Sequence, residues 1–473
     1  MGKKDSSSNF NPEFLLTVAR FEETLAGNIS VYFEGNEVEE IIDYYINKTQ
    51  FLKAICACDY AIEKFPFSHE FYSIKAEVFI YLDKVDEAIG ILEYQISMGN
   101  ADHSVFSLFG DAYLLKEEYN MALKYYKKAM DSVFEENEKE DTYFDIAFVY
   151  QSMEQHTLAI KYLLKTIRIN PKHPDAVNEL GICIDLSEEF QRGLVCFEEI
   201  INLHPYCDAA WFFLGHCYAA LNRNEKAANA YEYAVIINEK NEMAQLALAD
   251  ILFELGKYQD SLEIFQMLER EGDQSDGIYK KIGLCYYHLE EISEAKAYYN
   301  KGIKTCISDE FADELWYLLG EAFEAEDNYE SAKKCYETAL DKYNSEIYWA
   351  ALAYVEQELG NYETALKYYE NAIEGDPYNE ALWEAYAYCL MDNKDFEKAV
   401  DLLESGLVIM PKSANLRYLL GGAMIKGGSN QQGNVELEKA LTMNYQEHET
   451  IFEYFPELRK NHSILKLIEQ YKK

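Results

Sequence analysis

Proline and glycine are scarce in this chain, 8 and 23 among 473 residues, which argues against a β-rich or low-complexity protein. Positive charge is scarce too: 43 lysines and arginines stand against 84 aspartates and glutamates, a formal net charge of -41. A chain this acidic repels phosphate backbones and anionic lipid, so nucleic acid and membranes are poor partners and basic proteins are better ones. No run of about 18 apolar residues occurs, and the opening MGKKDSSSNFNPEF lacks the apolar stretch of a signal peptide. The expected compartment is therefore the cytoplasm. Met1, Gly2 and Ser6 fit a permissive acylation pattern, but a mobile polar start is the simpler reading of residues 1 to 10.

Catalytic signatures are missing as well. The nine histidines form no His-Glu-x-x-His, and no Gly-x-Ser-x-Gly elbow is present. Gly422 to Ser429 imitates a phosphate loop until its lysine is due, where Gly428 stands. The ten cysteines are scattered. Cys183, Cys217, Cys285 and Cys389 fall where Ala112, Ala322 and Ala423 stand in other parts of the chain, the placement of small buried residues in a reducing compartment. Cys56 and Cys58 are the one close pair, and with no second pair nearby no metal site is expected. The expectation is no enzyme activity, no cofactor and no metal.

What the chain has in abundance is apolar material, 49% of its residues and 40 tyrosines among them, arranged with a period. The stretch 313 to 345 shows the unit: Trp316, Leu319, Gly320 and Phe323 share one helical face, Asp327-Asn328 supplies a turn, and Tyr329, Ala332, Tyr336 and Ala339 repeat the spacing. This predicts an antiparallel helix pair that is small at Gly320 and Ala332, with Trp316, Phe323 and Tyr336 giving most of the packed area. Counting each unit from 1 to 34, starts at 35, 69, 103, 140, 174, 208, 242, 276, 313, 346, 380 and 414 bring twelve units into register. Position 20 is Ala, Gly or Ser throughout, position 8 is Ala or Gly except for Ile42, and all four tryptophans share position 4. Pro66, Pro171, Pro205, Pro377 and Pro411 share position 32.

On these Trp, Leu-Gly, Tyr, Ala and Pro positions the chain resembles the tetratricopeptide repeat (TPR) family. The resemblance implies an all-α fold, a right-handed α-solenoid superhelix of about twelve helix-turn-helix repeats with capping helices at both ends. The expected division is a mobile start and leader helix over 1–34, the array over 35–447, and capping helices over 448–473. A weaker likeness to long bacterial proteins of this family assigns no function. The leader is a helix from Pro12 to about Ala26, followed by Ile29, Val31, Tyr32 and Phe33 as a cover for the first repeat. The third and eighth units run three residues long, which predicts looser junctions around Glu135 to Glu140 and Ser308 to Ala312.

The resemblance also implies that positions 2, 5, 9, 12 and 13 face an inner groove. Read off this sequence, they give sixteen acids and two lysines, Lys280 and Lys426. The acids include Glu39, Asp43, Glu77, Asp111, Asp250, Glu321, Glu324 and Glu358. Among them stand Phe144, Phe148, Phe212, His216, Phe253, Tyr354 and Tyr388, aromatics suited to anchor a peptide. The lysines and arginines with which chaperone-binding members of the family hold a terminal carboxylate are replaced here by acids and serines. The expected function is thus a scaffold that captures a basic peptide or helical segment in an acidic, aromatic-lined groove. The alternative is an assembly protein that mimics nucleic acid or shields a basic partner with its outer surface. Self-association stays open.

Overall fold

The computed structural model describes residues 12–133, 135–173, 175–272, 275–306 and 312–472; the polar start at residues 1 to 10 and most of the expected loose junction at 308 to 312 lie outside them. Among the described residues there are 27 α-helices, three short 3-10 helices and no strand. The chain forms two compact units, residues 1–251 and 252–473.

The first unit opens with α1 (Pro12–Leu25) and continues in hairpins: α2 (Gly35–Asn47) with α3 (Phe51–Lys64), α4 (His69–Tyr81) with α5 (Val85–Ser97), α6 (His103–Leu115) with α7 (Tyr119–Ser132), α8 (Glu140–Ser152) with α9 (His156–Ile169), α10 (Ala176–Ser187) with α11 (Phe190–Leu203), and α12 (Asp208–Ala220) with α13 (Asn224–Ile237). Helix α14 (Glu242–Glu254) carries the unit boundary. The second unit continues with α15 (Tyr258–Glu271), then α16 (Asp276–His288) with α17 (Ile292–Thr305), α18 (Ala312–Glu324) with α19 (Tyr329–Lys342), α20 (Glu346–Glu358) with α21 (Tyr362–Gly375), α22 (Glu380–Asp392) with α23 (Phe396–Ile409), and α24 (Ala414–Lys426) with α25 (Asn430–Met443). It closes on α26 (Thr450–Tyr454) and α27 (His462–Tyr471).

Every hairpin after the first closes around one large side chain at position 24. Tyr126, Tyr299 and Tyr336 are almost wholly buried there, and a Cβ added to Gly110, Gly283 or Gly320 at position 8 would meet the respective ring at 2.4 Å. Glycine at position 8 is thus the seat for the ring, and each buried ring contributes about 2 to 3 kcal/mol. The odd first unit obeys the same volume rule in reverse, with a large Ile42 at position 8 and a small Cys58 at position 24, both fully buried. Of the three residues expected to dominate the packing, Tyr336 is buried but Trp316 and Phe323 are only half-buried; Leu315 and Leu319 are buried in their place. Position 4 lies at the hairpin's rim, where a tryptophan N–H can donate to the preceding turn, as Trp211 does to the Pro205 carbonyl and Trp383 to that of Pro377, both at 2.9 Å.

The turn inside every hairpin takes a left-handed residue at position 15. Glycine fills it at Gly256, Gly360 and Gly428, but Thr49, Glu117, Glu154, Glu188 and Glu290 adopt the same positive φ, as do Asp83, Asn222, Asp327 and Lys394. The longer junction after the third hairpin is a 3-10 turn, Glu136–Lys139, tied down by the Tyr143 hydroxyl donating to Glu136 at 2.6 Å. The aligned cysteines Cys183, Cys217, Cys285 and Cys389 are all buried, and burial pushes the Cys183 thiol up to about 11 and those of Cys217 and Cys389 to about 12.

Both ends are covered. Phe21 of α1 packs edge-on against Phe33 and against Tyr60 of α3, ring centroids 5.2 Å apart in each case, and Glu22 accepts from Tyr45 and Lys53. Of the connector expected to help, only Phe33 is buried; Val31 and Tyr32 point into solvent. At the other end Ile451, Phe452, Phe455 and Leu458 join the core of α24, and the Phe455 ring fills the space over Gly422. Gly422 holds position 9, so this cap lies across the face that the sequence reading assigned to the groove.

Candidate partner-binding surface

In the first unit the open faces of α4, α6 and α8 enclose two adjoining hollows, of about 760 Å³ and 540 Å³. Six residues line both: Glu77, Tyr81, Leu108, Asp111, Phe144 and Asp145. The larger hollow continues among polar groups such as Ser73, Ser104, Ser107 and His103. The smaller one continues among Ile80, Leu114, Leu115, Tyr119 and Phe148, of which Leu115 and Phe148 are about half exposed.

Asp111 and Asp145 sit at the junction. Asp111 accepts from the Tyr126 hydroxyl at 2.6 Å, the same ring that Gly110 seats. Burial, reinforced by the charge of Glu77 and opposed by the tyrosine hydrogen bond, pushes its pKa up to about 6. Asp145 is raised well above the usual range, by burial first and the charge of Asp111 next. Among the described residues no lysine or arginine pairs with either. Phe144 rests on the His173 ring, centroids 4.6 Å apart.

In the second unit a smaller pocket of about 310 Å³ lies among α18, α20 and α22, with Glu321, Glu324 and Tyr354 in its lining. Its acids are engaged from within: Tyr317 donates to Glu321 at 3.0 Å and Tyr336 to Glu324 at 2.8 Å. Burial is the main cause that raises both carboxyls, with Glu324 adding to Glu321 and Glu358 to Glu324.

The remaining candidates do not join either site. Glu39 is half-buried beside Glu70, which together with burial raises its pKa, and Asp43 lies exposed one turn on. Phe212 packs on Phe213 and Tyr231, and His216 contacts Asp185 at 2.9 Å. Asp250 lies half-buried on α14, Phe253 packs against Tyr258 and His288, and Glu358 is exposed. Tyr388 faces Tyr454 of the cap, whose hydroxyl donates to Glu384 at 3.0 Å, so the cap covers that stretch. The two groove lysines are also occupied, Lys280 by Glu314 and Lys426 by Glu457. Asp145 was missed because it holds position 6; yet 2, 6, 9 and 13 form a regular helical stripe that would have included it.

One trio, Glu140, Asp141 and His173, brings potential ligand atoms within 4.8 Å. His173 Nδ1 accepts from the backbone N–H groups of Asp175 and Ala176, so in the neutral ring the proton sits on Nε2. A nitrogen carrying a proton donates to carboxylates and does not ligate a cation, so the trio makes a poor metal site.

Family models described as "Tetratricopeptide repeat" match residues 103–132, 140–173, 187–242, 277–305, 313–341 and 357–421, together about half of the chain. The chain belongs to the tetratricopeptide repeat family. Similar curated proteins include "TPR repeat-containing protein MJ1428" of Methanocaldococcus jannaschii, 21% identical over 458 residues, covering 84% of this chain and 80% of that protein. "Anaphase-promoting complex subunit 3" of Schizosaccharomyces pombe is 23% identical over 151 residues, 32% of this chain and 23% of that one. A "Peroxisomal targeting signal receptor" of Candida glabrata is 30% identical over 103 residues, 22% of this chain and 18% of the receptor. The TPR chain described here therefore spans less than a quarter of the length of the last two. Among its described residues no helix is long and apolar enough to cross a membrane.

Proposed function

We propose that this TPR protein is a non-catalytic scaffold that holds a basic segment of a partner protein against the first helices of its hairpins. TPR proteins in general mediate protein–protein interaction. One observation supports the finer reading above others: Glu77, Asp111 and Asp145 are gathered beside exposed Phe148 with no lysine or arginine paired to Asp111 or Asp145 among the described residues. Burying a charge without a partner costs free energy that a cation from outside would recover. The name of one relative, a receptor for a targeting signal, is in keeping with recognition of a short segment. The cysteines that fill alanine positions favour a reducing, cytoplasmic setting.

The test is binding of lysine-rich and glutamate-rich peptides of equal length by fluorescence anisotropy at two salt concentrations. The lysine-rich peptide is expected to bind more tightly and to weaken with salt. Equal binding of both, or none, defeats the proposal.

A further inference from the structure

The two hollows of the first unit differ in chemistry from end to end, and that gradient specifies a ligand more narrowly than acidity does. At one end are serine hydroxyls and His69, whose Nδ1 is buried with no hydrogen-bond partner. The serine hydroxyls there offer hydrogen bonds to a polar group on a guest. In the middle are Asp111 and Asp145, both half-buried and neither paired with a lysine or arginine among the described residues. At the other end Ile80, Leu114, Leu115 and Phe148 present an apolar wall, with Leu115 47% and Phe148 48% exposed. Exposed apolar groups of this size beside half-buried carboxylates are costly in a free protein, and a segment of matching chemistry would cover both at once.

We infer that the hollow between α4, α6 and α8 reads a short partner segment graded in the same order: a small polar residue, then a lysine whose ammonium lies between Asp111 and Asp145, then large apolar residues against Leu115 and Phe148. The lysine stem is apolar for four carbons, so it lies along Leu108 and Phe144 while its head reaches the acids. The inference rests on the reading of the groove as a binding face and narrows the partner to a cationic, half-apolar segment.

The probe is the labelled, end-blocked peptide Ser-Ser-Gly-Lys-Leu-Leu, titrated against the full chain, together with a version carrying norleucine in place of lysine and one carrying Ser-Ser in place of Leu-Leu. Norleucine keeps most of the stem and removes the charge. Each altered peptide is expected to bind at least tenfold more weakly than the parent. In the Asp111→Asn, Asp145→Asn protein the preference for lysine over norleucine should vanish while the preference for leucine remains. In Phe148→Ala the reverse should hold. The substitutions to asparagine preserve shape and remove a repulsion, and unchanged circular dichroism confirms the fold before binding is compared. Norleucine binding as well as lysine, or a lysine preference that survives the double substitution, overturns the inference. A preference abolished only by Glu321→Gln with Glu324→Gln overturns the assignment to this hollow and leaves the broader proposal standing. Absence of binding by every lysine peptide overturns both.

Discussion

Two carboxylates in this TPR protein, one buried and one half-buried, have opposite fates. Glu356 in the second unit is almost fully buried, yet Lys333 holds it at 2.7 Å and Asn361 donates to it at the same distance. Half-buried Asp111 in the first unit has a tyrosine hydroxyl and a second half-buried acid, Asp145, beside it, and no ion pair to a lysine or arginine among the described residues. A buried charge that the fold neutralises itself is structural. One that the fold leaves open, facing a hollow, is available to a guest. Glu321 and Glu324 resemble Asp111 in accepting from one tyrosine hydroxyl each, but they line a pocket of about 310 Å³ against hollows of about 540 and 760 Å³. Acidity by itself does not separate these sites; what else reaches the carboxylate does.

The largest effect should come from breaking Glu356. Removing Lys333 by Lys333→Met strands a buried carboxylate, and urea unfolding should show a loss of about 3 kcal/mol. By contrast Asp111→Asn together with Asp145→Asn should leave stability unchanged or improved, while lowering affinity for a lysine peptide by about 30-fold, roughly 2 kcal/mol. The same substitution pattern at Glu321 and Glu324 should cost less affinity than this, because their pocket is smaller and holds less of a peptide.

The pH dependence sharpens the contrast. Asp111 is raised to about 6 in the folded chain, so it binds protons more readily folded than unfolded. Its contribution to stability is therefore present at low pH and lost as pH rises through about 6. Cation binding runs the other way, since Glu77 on α4, Asp145 on α8 and Asp111 itself must be charged. Lowering the pH from 7.5 to 5 should weaken the lysine peptide while the melting temperature, as far as Asp111 sets it, rises. Calorimetry and anisotropy on one set of buffers check both signs. A smaller effect belongs to the hairpin turns: Thr49→Gly relieves a β-branched residue from a φ of 55° and should stabilise by about 1 kcal/mol in the same urea assay.

Much of the fold was legible because packing leaves its mark at fixed intervals. Position 8 is small where a position-24 ring such as Tyr126 or Tyr336 must sit, and the resulting pattern recurs often enough to be read without coordinates. The turn at Asp327-Asn328 was legible, but the left-handed Thr49, Glu117, Glu154, Glu188 and Glu290 were not, since glutamate or threonine in that conformation is locally disfavoured and is imposed by the helices on either side. Nor was the fold-back of Phe455 over Gly422, because residues beyond 447 carry no period. Of the candidate site, Glu77, Asp111, Phe144 and Phe148 do meet in one hollow, and Glu321, Glu324 and Tyr354 in another. Tyr388 was not separable from these in the sequence: its covering partner, Tyr454, lies 66 residues away in a segment without the repeat pattern.

The claim on which the rest depends is that ligand lies along the first helices of the hairpins. Hydrogen exchange of the full chain, with and without saturating Ser-Ser-Gly-Lys-Leu-Leu peptide, tests it directly. Slowed exchange concentrated in α4, α6 and α8 is the expected result. Protection confined to α5, α7 and α9 would place the partner on the opposite face and contradict it.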